Sequence, residues 1–313
     1  MGSLIFRFQP ADGPNETAEI PQCLRLKARK AFVASLSVIT PSYQPDLELC
    51  RDLAVSVKRF GPLNVSHCVI VPPKDRAVFA GVGEVHTVDE YLPRSFLRIP
   101  GNMWINLRRP IIPARGWIVQ QLIKLEASAR SEADVVLLVD SDMVFIRPFD
   151  VDTFLTDGNV RFFRAANAIH KDMTRHIIWH RTARRLLGLP NVDRLPLHDY
   201  ICWPMAWSPA IVRAMLKQVE ATTAMSWQSA IAGELHFSEG ILYGVYVDEI
   251  LGGARYCENT MLSVNYSDEA PLDAAAAAQI VAGASSADIA LMISAKSTTT
   301  ADVRKEILRA LTA

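Results

Sequence analysis

The stretch "ADVVLLVDSDMVFIRPFD", residues 133–150, decides how the chain is read. Val135 to Val139 are all branched aliphatics, with no alternation to mark a solvated side, so the run predicts a strand buried on both faces. It ends in two carboxylates, Asp140 and Asp142, one residue apart. In an open α/β sheet the carboxyl end of such a strand is where ligands are presented. Successive side chains of a strand point apart, but this pair lies where the strand turns, so both acids can reach one ligand.

The elements around it set the fold class. Residues 33–40 predict a first core strand. Residues 46–59 predict a helix, because Leu49, Leu53, Val57 and Phe60 recur at helical spacing. A strand at 65–71 is closed by Pro72 and Pro73, and "EVHTVDEYL" supplies a third. Strand alternating with helix predicts a mostly parallel sheet with helices on both faces. The proline- and arginine-rich loop from 93 to 115 is long for such a fold, and loops of that length are commonly functional.

The helix 116–130, "GWIVQQLIKLEASAR", divides by face. Ile118, Leu122, Leu125 and Ala129 form the stripe expected on the sheet, while Trp117, Gln120, Gln121, Lys124 and Ser128 share the other side, with Arg115 just outside the N-terminal end. Two amides, a lysine and an arginine converging near a carboxylate pair suit a sugar diphosphate; a plain solvated face is the alternative. Beyond the aspartates, "RFFRAANA" reads as a strand, 171–188 as a basic helix and "YICWPMAWS" as an extended segment near the centre. Helices follow at 209–219, 226–234 and 240–250, and the last, at 300–312, is expected to be capped by Thr299.

Composition limits the classes. The 313 residues are 50% hydrophobic and 21% charged, with 33 Lys and Arg against 33 Asp and Glu, which describes a globular chain of one or two domains. A net charge near zero gives no global attraction to nucleic acid. The five cysteines are odd in number and widely spaced, and read as free thiols in a reducing compartment. No apolar run is long enough to span a bilayer, so the expected location is the cytoplasm.

"DSD" by itself admits three chemistries. Hard oxygen ligands suit Mg²⁺ or Mn²⁺ bridging a diphosphate. One aspartate could instead attack phosphorus while the second serves as acid or base, as in aspartate-dependent phosphatases. Both could also merely cap a turn. A phosphatase of that kind opens with its motif after the first strand, whereas here at least three strands come first.

Taken together, "LSVITPSYQPD" (36–46), "ARGWIVQQLIKL" (114–125) and "VVLLVDSDMVFIRPFD" (135–150) resemble a nucleotide-sugar-dependent glycosyltransferase of the GT-A fold, in a little-characterised bacterial branch. The likeness covers roughly residues 33 to 250. It implies a mostly parallel, mixed α/β GT-A sheet flanked by helices. The resulting organisation is an N-terminal arm at 1–30, a catalytic domain at 31–265 and a C-terminal helical extension at 266–313.

The resemblance also implies roles. Thr40, Pro41, Ser42 and Tyr43 would approach the nucleoside of a UDP-sugar donor. Asp142 would hold Mn²⁺ or Mg²⁺ directly, Asp140 would contact the ribose or a metal-bound water, and Ser141 would be the spacer. His236 would be a further metal ligand, with a satisfied polar residue as the bland alternative. Glu239, acidic at the start of a late helix, would be the catalytic base of an inverting transfer; the alternative is a simple helix start capped by Ser238. By residue chemistry, not by the resemblance, Trp207 could floor the cleft for a saccharide or small-molecule acceptor and His198 and Asp199 could bind sugar hydroxyls; core packing for the tryptophan and plain turn residues for the other two are the alternatives. Asp248 and Glu249, later in that helix, are expected to face solvent. A homo-oligomer is compatible with all of this. The competing functions are an aspartate-nucleophile phosphohydrolase and a noncatalytic nucleotide- or carbohydrate-binding protein.

Overall fold

The computed structural model describes residues 34–192 and 194–312. The expected N-terminal arm therefore lies outside the described residues. The main sheet contains strands β1 (Leu36–Pro41), β2 (Ser66–Val71), β3 (Glu84–Thr87), β4 (Val135–Leu138) and, much later in the chain, Met205–Trp207. The spatial order runs from Met205–Trp207 through β4, β1 and β2 to β3. Four strands are parallel, and Met205–Trp207 is an antiparallel edge.

Strand periodicity explains why helices cover both faces. Along β4 and the next residue, Val135, Leu137 and Val139 join Leu53 and Val57 of helix α1 (Leu47–Phe60) in one cluster. Val136 and Leu138 join Ile118, Leu122 and Leu125 of helix α2 (Gly116–Arg130) in the larger cluster on the opposite face. Each buried Leu or Val contributes about 1.5–3 kcal/mol of burial. The uninterrupted apolar run of β4 is what a strand covered on both sides requires.

Helix α2 differs from its expected two-sided form. Ile118, Leu122 and Leu125 are fully buried, but Gln121, Lys124 and Ser128 are buried too. The reason is tertiary: Phe237 and Glu239 bond Gln121, and Asp140, Glu239 and the Trp203 ring surround Lys124, while helix Pro209–Thr223 and the short helix Trp227–Ala232 also pack on this helix. Of the residues expected on that face, Trp117 alone stays substantially exposed, at 42%.

Three further differences bear on function. The long loop contains an antiparallel three-stranded meander, Phe96–Ile99, Met103–Asn106 and Ala114–Arg115. "EVHTVDEYL" is only half strand: after Thr87 it turns into the short helix Val88–Tyr91, closed by a Thr87/Glu90 capping box. The segment expected as a helical extension does hold helices Ala274–Gly283 and Ala301–Thr312, but between them lies strand Ala290–Ile293. That strand pairs with Ser263–Tyr266 on one side and with Met143–Phe145, just beyond the aspartates, on the other. The tail thus forms a second sheet with the aspartate segment. Thr299 accepts a bond from Leu272 N instead of capping the last helix, and the Thr300 hydroxyl accepts from Val303 N.

Candidate active site

Four chain segments meet in a cleft of about 630 Å³ at the carboxyl ends of β1 and β4. That size lies within the usual range of small-molecule sites. β1 delivers Pro41, Ser42 and Tyr43 to its wall, β4 delivers Asp140, Ser141 and Asp142, α2 contributes Gln120, Gln121 and Lys124, and the late helix Glu239–Val245 contributes Glu239 at its first turn.

The acids share one side because the chain turns beneath them. Met143 N donates to Asp140 O at 3.1 Å, closing a turn over the motif. Asp142 Oδ2 accepts the Ala295 N–H at 2.8 Å, and Asp142 O accepts from Ile293 N at 3.2 Å. Burial, reinforced by the neighbouring Asp140 charge, pushes the Asp142 carboxyl up to about 6. A third acid joins them. The Ser141 hydroxyl donates to Asp46 Oδ2 at 3.4 Å, and burial raises the Asp46 carboxyl against the lowering effect of that bond.

Lys124 is the cationic centre. Only 4% exposed, its Nζ lies 2.8 Å from Asp140 Oδ1 and 3.3 Å from Glu239 Oε1, with the Trp203 ring centroid 5.1 Å away. Burial opposes its charge, yet the two carboxylates outweigh it and hold the ammonium above its ordinary value. The contact to Asp140 is off the line of a hydrogen bond, so the buried Oδ1 is left without an aligned donor.

Glu239 is placed by its helix and by α2. Ser238 caps the helix, its hydroxyl accepting from Ile241 N at 3.4 Å. Gln121 reaches across, accepting from Glu239 N at 2.8 Å while its amide donates to Phe237 O at 3.3 Å. Gln121 therefore fixes where the late helix starts. Gly240 also lines the cleft, and a Cβ there would press on Met205 Sδ at 3.3 Å.

Six predicted residues lie elsewhere. Thr40 is inside β1, fully buried, its hydroxyl 3.0 Å from His67 Nε2, because the strand continues one residue past it. Arg115 bonds Leu235 O and ties the start of α2 to the segment before Ser238. His236 is exposed and absent from the cleft wall, since the buried neighbour Phe237 takes the inward position. Among the described residues no three His, Cys, Asp or Glu side chains form a ready metal-binding group. Trp207 is core, stacked on Tyr243 with ring centroids 4.7 Å apart. His198 Nδ1 accepts from Asn167 N, and Asp199 accepts from Ile201 N, so both serve their own strand and turn.

Asp46, Trp179 and the tail residues Ser294, Ala295 and Lys296 line the cleft without having been singled out from the sequence. Asp46 closes the "PSYQPD" stretch, which was a signal at hand. Trp179, on the basic helix Thr174–Leu187, packs against Trp117 with centroids 5.7 Å apart, and its buried Nε1 has no hydrogen-bond partner among the described residues. The tail residues reach Asp142 only through sheet pairing.

Residues 31–274 match a family of unknown function (DUF6492), and the chain belongs to that family. A search of curated proteins found no match. The cleft residues Ser294 to Lys296 lie beyond the matched stretch.

Proposed function

We propose that the protein is a metal-dependent glycosyltransferase of GT-A type, transferring a sugar from a nucleotide-sugar, UDP-linked by family resemblance, to a hydroxyl of a saccharide or small molecule. The observation that carries this is the meeting, in one cleft, of the paired acids with Lys124 and a buried carboxylate at a helix start. A structural ion cluster has no need of an adjoining 630 Å³ cleft.

The acids suit a hard divalent cation. Asp140 Oδ1 lacks an aligned donor among the described residues, and Asp142 is raised by burial beside the Asp140 charge. Asp140 and Asp142 would hold Mg²⁺ or Mn²⁺, with Asp46 close by, and phosphate oxygens would complete the shell. The ion, when bound, supplies charge neutralisation for the diphosphate that leaves.

The chain's own residues supply the rest. Tyr43, half exposed at the mouth, offers a ring to the nucleoside. Lys296 is exposed on the cleft wall and offers a cation to the phosphates. Glu239 accepts the proton of the acceptor hydroxyl as the new bond to the anomeric carbon forms and the bond to phosphate breaks, which inverts that carbon. Lys124 sets its ammonium between Glu239 and Asp140 and holds the two side chains in place at the cleft. Trp117 and Trp179 offer indole faces to the acceptor at the other end of the cleft, since Trp117 precedes Lys124 by seven residues, or about 10 Å along the helix.

The test is calorimetric titration of UDP into wild type and Asp142→Asn, each with Mn²⁺ and with chelator. Binding that needs both Mn²⁺ and Asp142 supports the proposal; equal binding in all four cases removes it. One arrangement favours the phosphohydrolase as a second reading: Asp142, raised by burial, stands two residues after the lysine-paired Asp140, the order of an acid–base group beside a nucleophile. That reading requires turnover of a phosphomonoester and trapping of an acyl-phosphate mimic at Asp140.

A further inference from the structure

The meander Phe96–Ile99, Met103–Asn106 and Ala114–Arg115 carries apolar side chains on both faces, whereas an exposed antiparallel sheet commonly has a polar outer face. Its inner face buries Phe96, Trp104 and Asn106, with Asn106 Nδ2 donating to Ser229 Oγ at 3.0 Å. Arg98 and Trp104 of that face, with Asn102 in the turn, also line the cleft. The alternate positions point outward, and they are Leu97, Ile99, Met103, Ile105 and, one residue past the strand, Leu107.

Leu97 is 48% exposed and Leu107 57%, with Leu97 directly opposite Ile105 across the ladder. Ile111, in the following turn, is 91% exposed. A contiguous apolar surface of this kind marks an interaction site. The segment's charge is one-sided: residues 93–115 contain five arginines and no Asp, Glu or Lys, although Arg98 lies on the inner face and Arg115 is bonded to Leu235 O. Arg94 and Arg108 are both exposed beside the apolar ridge.

We infer that this face docks on an anionic phospholipid surface, with the leucine and isoleucine side chains entering the headgroup boundary and the arginines meeting lipid phosphates. Leu and Ile gain from entering a bilayer, and each nearby arginine adds electrostatic attraction to an anionic leaflet. A second copy of the chain fits less well, because a two-fold contact through this face brings together two arginine-containing segments with no acid in either. A nucleic acid would meet the arginines but gain nothing from the aliphatic ridge. No helix among the described residues is long and apolar enough to cross a membrane, so the attachment would be peripheral. It holds or fails independently of what the cleft binds.

The experiment is sedimentation of the full chain with vesicles of phosphatidylcholine alone, or with roughly a third phosphatidylglycerol. Expected is binding to the anionic vesicles only, weakened by salt. The pair Arg94→Glu with Arg108→Glu should lower affinity at least about tenfold, and Leu107→Ser with Ile111→Ser by a similar factor, with thermal midpoints unchanged because all four side chains are exposed. Absence of binding at low salt overturns the inference. So does vesicle binding that both double variants retain, or a concentration-dependent dimer that Leu107→Ser with Ile111→Ser abolishes, which would assign the face to a second copy.

Discussion

The helical segment running from Glu239 to Ile250 has a buried acid at each end, and the two ends are built differently. At the start, Glu239 shares Lys124 with Asp140, whose Oδ1 has no aligned donor, and the group fronts a large cleft. At the far end, where the helix widens into a π turn, Asp248 accepts from Tyr200 Oη at 2.9 Å and from Arg164 at 3.3 and 3.4 Å, and Glu249 is paired with Arg184. This corrects the expectation that Asp248 faces solvent, whereas Glu249 is exposed as expected. The Asp248 side chain is 8% exposed, because Tyr200 lies against Gly244, where even a Cβ would meet its ring at 2.0 Å.

The far end is a saturated network, with every charge opposed by a donor. The near end is unsaturated and open to space for a ligand. Saturation without a cavity does structural work, whereas unsatisfied buried groups beside a cavity are candidates for chemistry.

The largest expected effect is at the near end. Lys124→Met leaves Asp140 and Glu239 facing each other without their cation and should cost about 3–5 kcal/mol in denaturant unfolding. Arg164→Met should cost clearly less, because the Arg164 side chain is 37% exposed and Tyr200 still serves Asp248. Equal costs would erase the distinction between the ends.

Next comes turnover. Glu239→Gln keeps size and most hydrogen bonding but removes the charge, so single-turnover sugar transfer should fall by roughly 10²-fold or more with donor binding preserved. Tyr200→Phe, at the far end, should leave transfer within about threefold and lower stability by about 1 kcal/mol. A Gln variant that keeps its rate would remove Glu239 as the base. A product of retained configuration, read by NMR, would remove the inverting mechanism.

The smallest effect is pH dependence, which should run in opposite directions at the two ends. Asp142 has its folded value raised to about 6, so its contribution to stability is fully present below its ordinary value near 3.8 and is lost as pH rises through 6. Without metal, Asp142→Asn should therefore be more stable than wild type at pH 7.5 by about 1–3 kcal/mol, and no more stable near pH 4. His180 packs on Tyr200, and burial lowers its folded value from 6.5 to about 4. Its contribution is present above 6.5 and lost as pH falls toward 4, so His180→Gln should flatten the acid side of the stability profile. Denaturant unfolding across pH 4–8 checks both signs.

Much of the frame was legible because it rests on local patterns. The five branched aliphatics from Val135 to Val139, the helical spacing in α1 and the Ile118, Leu122, Leu125 stripe each announce their element within a few residues. The paired acids at a strand end, Lys124 on the helix before them and Glu239 after Ser238 were picked out in the same way, and the fold gathers them in one cleft. Trp207 and His236 were misplaced because residue type and local motif do not say which side of a segment meets the core. The meander at 96–115 was missed because its strands are short and its apolar residues face both ways.

The sequence by itself determined the parallel strands, the helices on both faces and the acids at the mouth of β4, since those depend on periodicity and on where apolar runs stop. Tertiary structure alone decided which polar groups became neighbours. Ala295 donates to Asp142 across 153 residues, Gln121 sets the start of the Glu239 helix across 118, and Asp46 meets Ser141 across 95. No local pattern encodes such pairs, because each depends on how sheets and helices pack, and that packing is fixed by the summed burial of the whole core.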